Sequence, residues 1–175
     1  MSKWRQLVLA AAILVPFSGC AVQENVKQYV GLGDDDETAY SGPTYPASNN
    51  VAIAFQPEQV GRSCRVFAQC LVELPANING KEIKNAILGE AGKRGADQVL
   101  IGQSREAEDD NGLNFLYYGP ANEYLCSDQC GGWKYGYAFW EEQGEWVSLG
   151  YGEWGKTEAQ FALPMVTQVI MLRCQ

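Results

Sequence analysis

Six cysteines and no histidine bound the chemistry open to this chain of 175 residues. Without an imidazole, Ser-His-Asp and Cys-His nucleophiles, histidine metal ligands and a histidine pH switch are excluded. Cys126-Ser127-Asp128-Gln129-Cys130 is a Cys-x₃-Cys pair, and five residues separate Cys64 from Cys70. Four thiolates suit zinc, but structural sites use Cys-x₂₋₄-Cys twice, and the Cys64/Cys70 spacing lies outside that range. Cys-x₃-Cys also departs from the Cys-x-x-Cys of thiol oxidoreductases. Glu141, Glu142, Glu145 and Glu153 stand among aromatic residues, a combination that glycosidases use. A domain of this size leaves little room for a sugar cleft, and acids near a turn are normally solvated. The sequence therefore assigns no catalytic residue, no metal and no cofactor.

Rings supply the other candidate function. Residues 115–154 hold twelve aromatics. Tyr117, Tyr118, Trp133, Tyr135, Trp140, Trp146 and Trp154 form a candidate binding surface, because flat amphipathic rings dominate protein interfaces and stack on sugars. The competing reading is core packing. From Trp133 to Trp140 the residues alternate, putting Trp133, Tyr135, Tyr137 and Phe139 on one face of a strand. Gln143-Gly144 would turn that strand back into Trp146-Val147-Ser148-Leu149. Both readings stay open.

The elements that must position these residues begin after an export signal. Lys3 and Arg5 lead an apolar run from Leu7 to Phe17, which is shorter than the ~20 residues of a membrane span. Phe17-Ser18-Gly19-Cys20 then resembles the lipobox of bacterial lipoprotein signal peptides. That resemblance implies cleavage after residue 19 and lipid on Cys20. It also implies anchoring by two or three acyl chains, since one chain binds only marginally. Ala21, where Asp would signal inner-membrane retention, resembles an outer-membrane address facing the periplasm, if the source has two membranes. Loss of Lys3 and Arg5 takes the net charge from −8 to −10. Such a chain repels phosphate backbones and anionic headgroups, so nucleic acid is excluded as a partner and the lipid alone must hold it at the membrane.

In an exported chain the five remaining cysteines are expected to oxidise, giving two bridges and one odd thiol in any of fifteen arrangements. Residues 20–50, with Asp34-Asp35-Asp36-Glu37 and several Pro, Gly and Ser, read as a flexible acidic tether. The domain is expected over 51–175. Val51–Phe55 reads as a strand, and Arg65–Leu74 as a half-buried strand with Val66, Ala68, Cys70, Val72 and Leu74 on one face. Lys81–Arg94 reads as a helix with an Asn79 N-cap and Gly95 beyond its end. Residues 98–102 make a buried strand. Asp110-Asn111-Gly112 reads as a hairpin turn leading into Leu113–Tyr118. Residues 166–174 close the domain as a strand. The fold class is α+β: a small mixed sheet, one main helix in a β-α-β unit, and an aromatic-rich β insertion.

Gly61-Arg62-Ser63-Cys64, the helix through Ala86, Leu88 and Ala91, and Gly95-Ala96-Asp97-Gln98-Val99 resemble the RcsF-type envelope stress-sensor lipoproteins. The resemblance implies a disulfide-bonded α+β domain with Cys64 and Cys174 as bridge members. Cys126 and Cys130 would form a second, local bridge, leaving Cys70 odd. It also implies a non-enzymatic envelope sensor, or an accessory of an envelope assembly, with an envelope protein as partner. Carbohydrate or peptidoglycan binding is the alternative.

Overall fold

The structure is a computed structural model that describes residues 39–130, 133 and 136–174. The leader, Cys20, most of the expected tether and Tyr135 lie outside the described residues. The strands are β1 (Ala52–Ala54), β2 (Arg65–Leu74), β3 (Ile78–Asn79), β4 (Gln98–Glu106), β5 (Asn114–Gly119), β6 (Tyr124–Leu125), β7 (Trp146–Val147), β8 (Gln160–Phe161) and β9 (Met165–Arg173). The helices are α1 (Gly80–Lys93), the single turn α2 (Cys126–Gln129) and α3 (Tyr137–Glu142).

Among the described residues the main sheet runs β1-β4-β9-β2-β5, with β6 beside β2 and β7 beside β4. Strands β2 and β4 both lie antiparallel to β9 and are therefore parallel to each other. With α1 between them in sequence, they form a split β-α-β unit around the last strand of the chain. The α+β class, the single main helix and the β-α-β unit are all present.

Helix α1 starts where its capping chemistry requires. Asn79 Oδ1 accepts from the Lys81 and Glu82 amides, while the Glu82 carboxylate accepts from the Asn79 amide. Its end is a Schellman motif. Gly95, at φ +80°, donates to Gly92 O, and Ala96 N donates to Ala91 O. Asp97 then clamps the end of β9, accepting from Arg173 Nη1 and the Cys174 amide. The Gly-Ala-Asp step thus ends a helix, lets it sit close to the sheet and holds a neighbouring strand. Asn79→Ala is expected to lower stability by about 1 kcal/mol, measurable as a shift in the denaturant midpoint at unchanged slope.

The sheet is buried on both faces. Phe67, Cys70, Val72 and Leu74 of β2 pack with Ile83, Ile87 and Ala91 of α1 and with Val169 and Met171 of β9. On the opposite face Val66 joins Leu100, Ile170 and Leu172, and Leu71 joins Leu116, Trp140 and Val166. Strand β2 was expected to be half-buried, yet nine of its ten residues are buried. A register shift between Val66 and Ala68 also sends Val66 to the far face, away from Ala68, Cys70, Val72 and Leu74. The covering layer over that far face is the aromatic segment.

Two local expectations change. The chain over 137–142 is helix α3, entered at Gly136 with φ +62°, where the alternation of rings predicts a strand. A short run of rings satisfies period two and helical spacing alike. On the helix Trp140 points inward and Tyr137 outward. The Asn111-Gly112 turn also makes no hairpin between β4 and β5, because β5 pairs with β2 across the sheet. Asn111 and Asn114 both donate to the buried Glu73 carboxylate, which ties this loop to β2.

Residues 39–50, expected as tether, lie against the domain. The Tyr40 ring meets Tyr117 edge-on at 4.9 Å, and Tyr45 meets Phe67 at 5.2 Å. Composition hid this, because two rings in a polar stretch are enough to dock it.

Candidate functional site

The cysteines resolve into structure. Cys64 pairs with Cys174 and Cys126 with Cys130. The first bridge joins the residue before β2 to the residue after β9, spanning 110 positions. The second closes α2, and the Cys126 amide donates to Cys64 O, so both bridges lie in one cluster on the far face. Of the four cysteines weighed as metal ligands, Cys64, Cys126 and Cys130 are taken up in the two disulfides, and Cys70 stands apart on the other face of the sheet.

Among the described residues Cys70 is the free thiol, fully buried on the helix side. Burial and the nearby Glu90 carboxylate push its pKa far above the usual thiol range, the opposite of what a nucleophilic cysteine needs. Tyr117 stands over it, and its hydroxyl donates to Glu90 Oε1 at 2.8 Å. Burial is also the main reason the Tyr117 phenol is raised well above its ordinary value. Arg94 Nε binds the same carboxylate oxygen at 2.9 Å.

The candidate rings divide. Tyr117 and Trp140 are buried, Trp140 at 4 % exposure, and belong to the core. Tyr118, Trp133 and Trp154 are partly buried against core clusters. Trp146 alone of the described candidates is fully on the surface, at 61 %. Sequence reasoning passed over Tyr137 (53 %) and Tyr151 (86 %), which are also exposed. The alternation puts Tyr137 on the same strand face as Trp133, Tyr135 and Phe139, but on helix α3 it faces solvent.

The Trp146 ring is held by an aromatic and cationic support. Its centroid lies 6.1 Å from that of Trp140, whose ring is anchored in the core. The Arg105 guanidinium stands 5.1 Å from the Trp146 centroid and 5.8 Å from the Trp140 centroid. Arg105 Nε donates to Gly144 O at 2.8 Å and Nη1 to Trp140 O at 2.9 Å. One arginine thus fixes the end of α3, the following turn and the exposed ring. The Glu106 amide donates to Glu145 O and the Gly144 amide to Glu106 O, which brings the two acidic segments together. Glu141, Glu142 and Glu145 are exposed, whereas Glu153 is partly buried and accepts from the Gly150 amide at 2.9 Å. The four glutamates singled out in sequence do not form one cluster. Arg105 was the missed residue; its only sequence signal is being a lone cation beside an acidic run.

The chain matches no protein-family model, no curated protein and no solved structure.

Proposed function

We propose that this chain is a membrane-anchored envelope lipoprotein that acts by protein–protein contact, as a sensor or an accessory of an envelope assembly, and not by catalysis. The observation that carries the contact reading is the Trp146 ring, exposed yet fixed against Trp140 and Arg105. A ring already held in place loses little freedom when a partner covers it, which is how tryptophan hot spots contribute to binding. Membrane attachment rests on the Phe17-Ser18-Gly19-Cys20 pattern, and the outer-membrane address on Ala21.

Trp146→Ala is expected to leave folding unchanged to within about 0.5 kcal/mol, as for a surface site. It should cut crosslinking of a specific envelope protein in intact cells at least tenfold. Unchanged crosslinking in the folded variant sinks this surface. Cys20→Ser should abolish incorporation of labelled palmitate and release the protein from membranes; persistence of both label and attachment sinks the lipoprotein reading. An exposed indole also suits a sugar face, so peptidoglycan binding is the second reading. On the contact reading, cell-wall fragments leave tryptophan fluorescence unchanged.

A further inference from the structure

We propose that residues 39–50 are a releasable strap whose docking sets how far the domain can stand from its anchor. Docked, the strap covers the Tyr117–Phe67 edge of the helix-side core. Released, it uncovers that edge and joins the tether.

The attachment is narrow. The Tyr40 ring packs edge-on to Tyr117, and the Arg94 guanidinium contacts both rings, 4.4 Å from the Tyr40 centroid and 5.3 Å from that of Tyr117. Tyr45 meets the Phe67 ring edge-on and also carries the Arg173 guanidinium 5.1 Å from its centroid. Ser48 N donates to Gly92 O at 2.9 Å and ties the strap to α1. The Tyr40 and Ser48 hydroxyls bond within the strap itself, to Pro43 O and Asn50 O. None of residues 39–50 is fully buried. Segments with few buried contacts and few hydrogen bonds open before the rest of a fold.

The seat is shaped for a backbone. A Cβ on Gly92 would come 2.7 Å from Ser48 O, and one on Gly95 2.5 Å from Pro46 O and 2.6 Å from Tyr45 Cβ. Glycine inside a helix is unfavourable relative to alanine, and Gly92 makes room for the strap. Beneath it the backbone bonding of the sheet and of the α1 terminus is complete without the strap. The α1 terminus is capped by Gly95 and Ala96, and the β2–β9 and β4–β9 ladders do not involve residues 39–50. Release therefore breaks no ladder.

The consequence for reach rests on the lipoprotein reading. With lipid on Cys20, residues 20–38 join anchor to domain when the strap is docked, and residues 20–50 when it is free. Twelve added residues lengthen the maximum span by about 40 Å.

Native-state hydrogen exchange on the full chain tests release. In the unsubstituted protein the Ser48 amide should exchange at least ~10-fold slower than a free amide, yet ~100-fold faster than the Cys70 and Val169 ladder amides. Gly92→Ala should return Ser48 to the free rate and leave the ladder amides unchanged. Tyr40→Ala with Tyr45→Ala should do the same by removing the anchors instead of blocking the seat. If Ser48 is as slow as the ladder, or speeds up only together with it, the strap is an integral part of the fold and the proposal falls. If Ser48 exchanges freely in the unsubstituted protein, the strap is never docked and the proposal falls as well. Palmitate labelling at Cys20 is read separately, so its loss overturns only the membrane consequence.

Discussion

Replacing Cys64 and Cys174 together by serine is expected to destabilise the domain by about 5 kcal/mol, the loop-closure value for a bridge spanning 110 positions. The bridge ties the two ends of the central β2–β9 pair, so without it the unfolded chain regains nearly the freedom of the whole domain. For a chain of this size the melting temperature should fall by roughly 10–20 °C. The Cys126–Cys130 bridge closes a loop of only a few residues, so the double Cys126→Ser/Cys130→Ser variant should cost about 2 kcal/mol. Thermal and denaturant unfolding of both double variants measures the contrast, and pairwise replacement avoids leaving a new reactive thiol. A fall of only a few degrees for the long bridge would show that β2–β9 packing alone holds the ends together. Because both bridges lie in the far-face cluster, reduction is expected to loosen the aromatic cover before the helix side.

Trp140→Ala is expected to cost about 3–5 kcal/mol, the range for removing a large buried aromatic. The ring fills the space between Leu71, Leu116 and Val166 and supports both Trp146 and Arg105. Its loss leaves a cavity over the central strands and frees the Trp146 platform. The variant should therefore lose partner crosslinking as well as stability, whereas Trp146→Ala should lose crosslinking alone. Near-ultraviolet circular dichroism and denaturant unfolding on the two variants separate these roles. Equal, small stability losses would contradict the assignment of Trp140 to the core and Trp146 to the surface.

Helix α1 and strand β4 were legible in sequence because their determinants are local. Asn79, Gly95 and the Ile83-Ile87-Ala91 stripe each act within a few residues; the Glu82 half of the capping box is equally local but shows only in the structure. The disulfide pairing followed from a resemblance and not from spacing, since spacing left fifteen arrangements open. What could not be read was the far side of the sheet. Period two in β2 marks one apolar face, but Gln69, Leu71 and Glu73 are buried by segments more than forty residues away in sequence. The Asn-Gly turn misled for a related reason: turn chemistry fixes where a chain bends, not which strand it meets afterwards. In the aromatic segment period two and helical spacing were degenerate, and the packing of Trp140 from α3 onto Leu71, Leu116 and Val166 resolved them.

The sequence by itself determined the bounds on chemistry: no imidazole, a net acidic chain, and a lipobox-like cysteine that makes membrane attachment the leading expectation. It also determined the capped helix and the α+β class, because composition, capping and periodicity are properties of a chain before it folds. Only the tertiary structure decided which tryptophan is core and which is surface, and that residues 39–50 rest on the domain. Those outcomes depend on which distant surfaces meet, and burial of a ring is a property of its neighbours as much as of the ring.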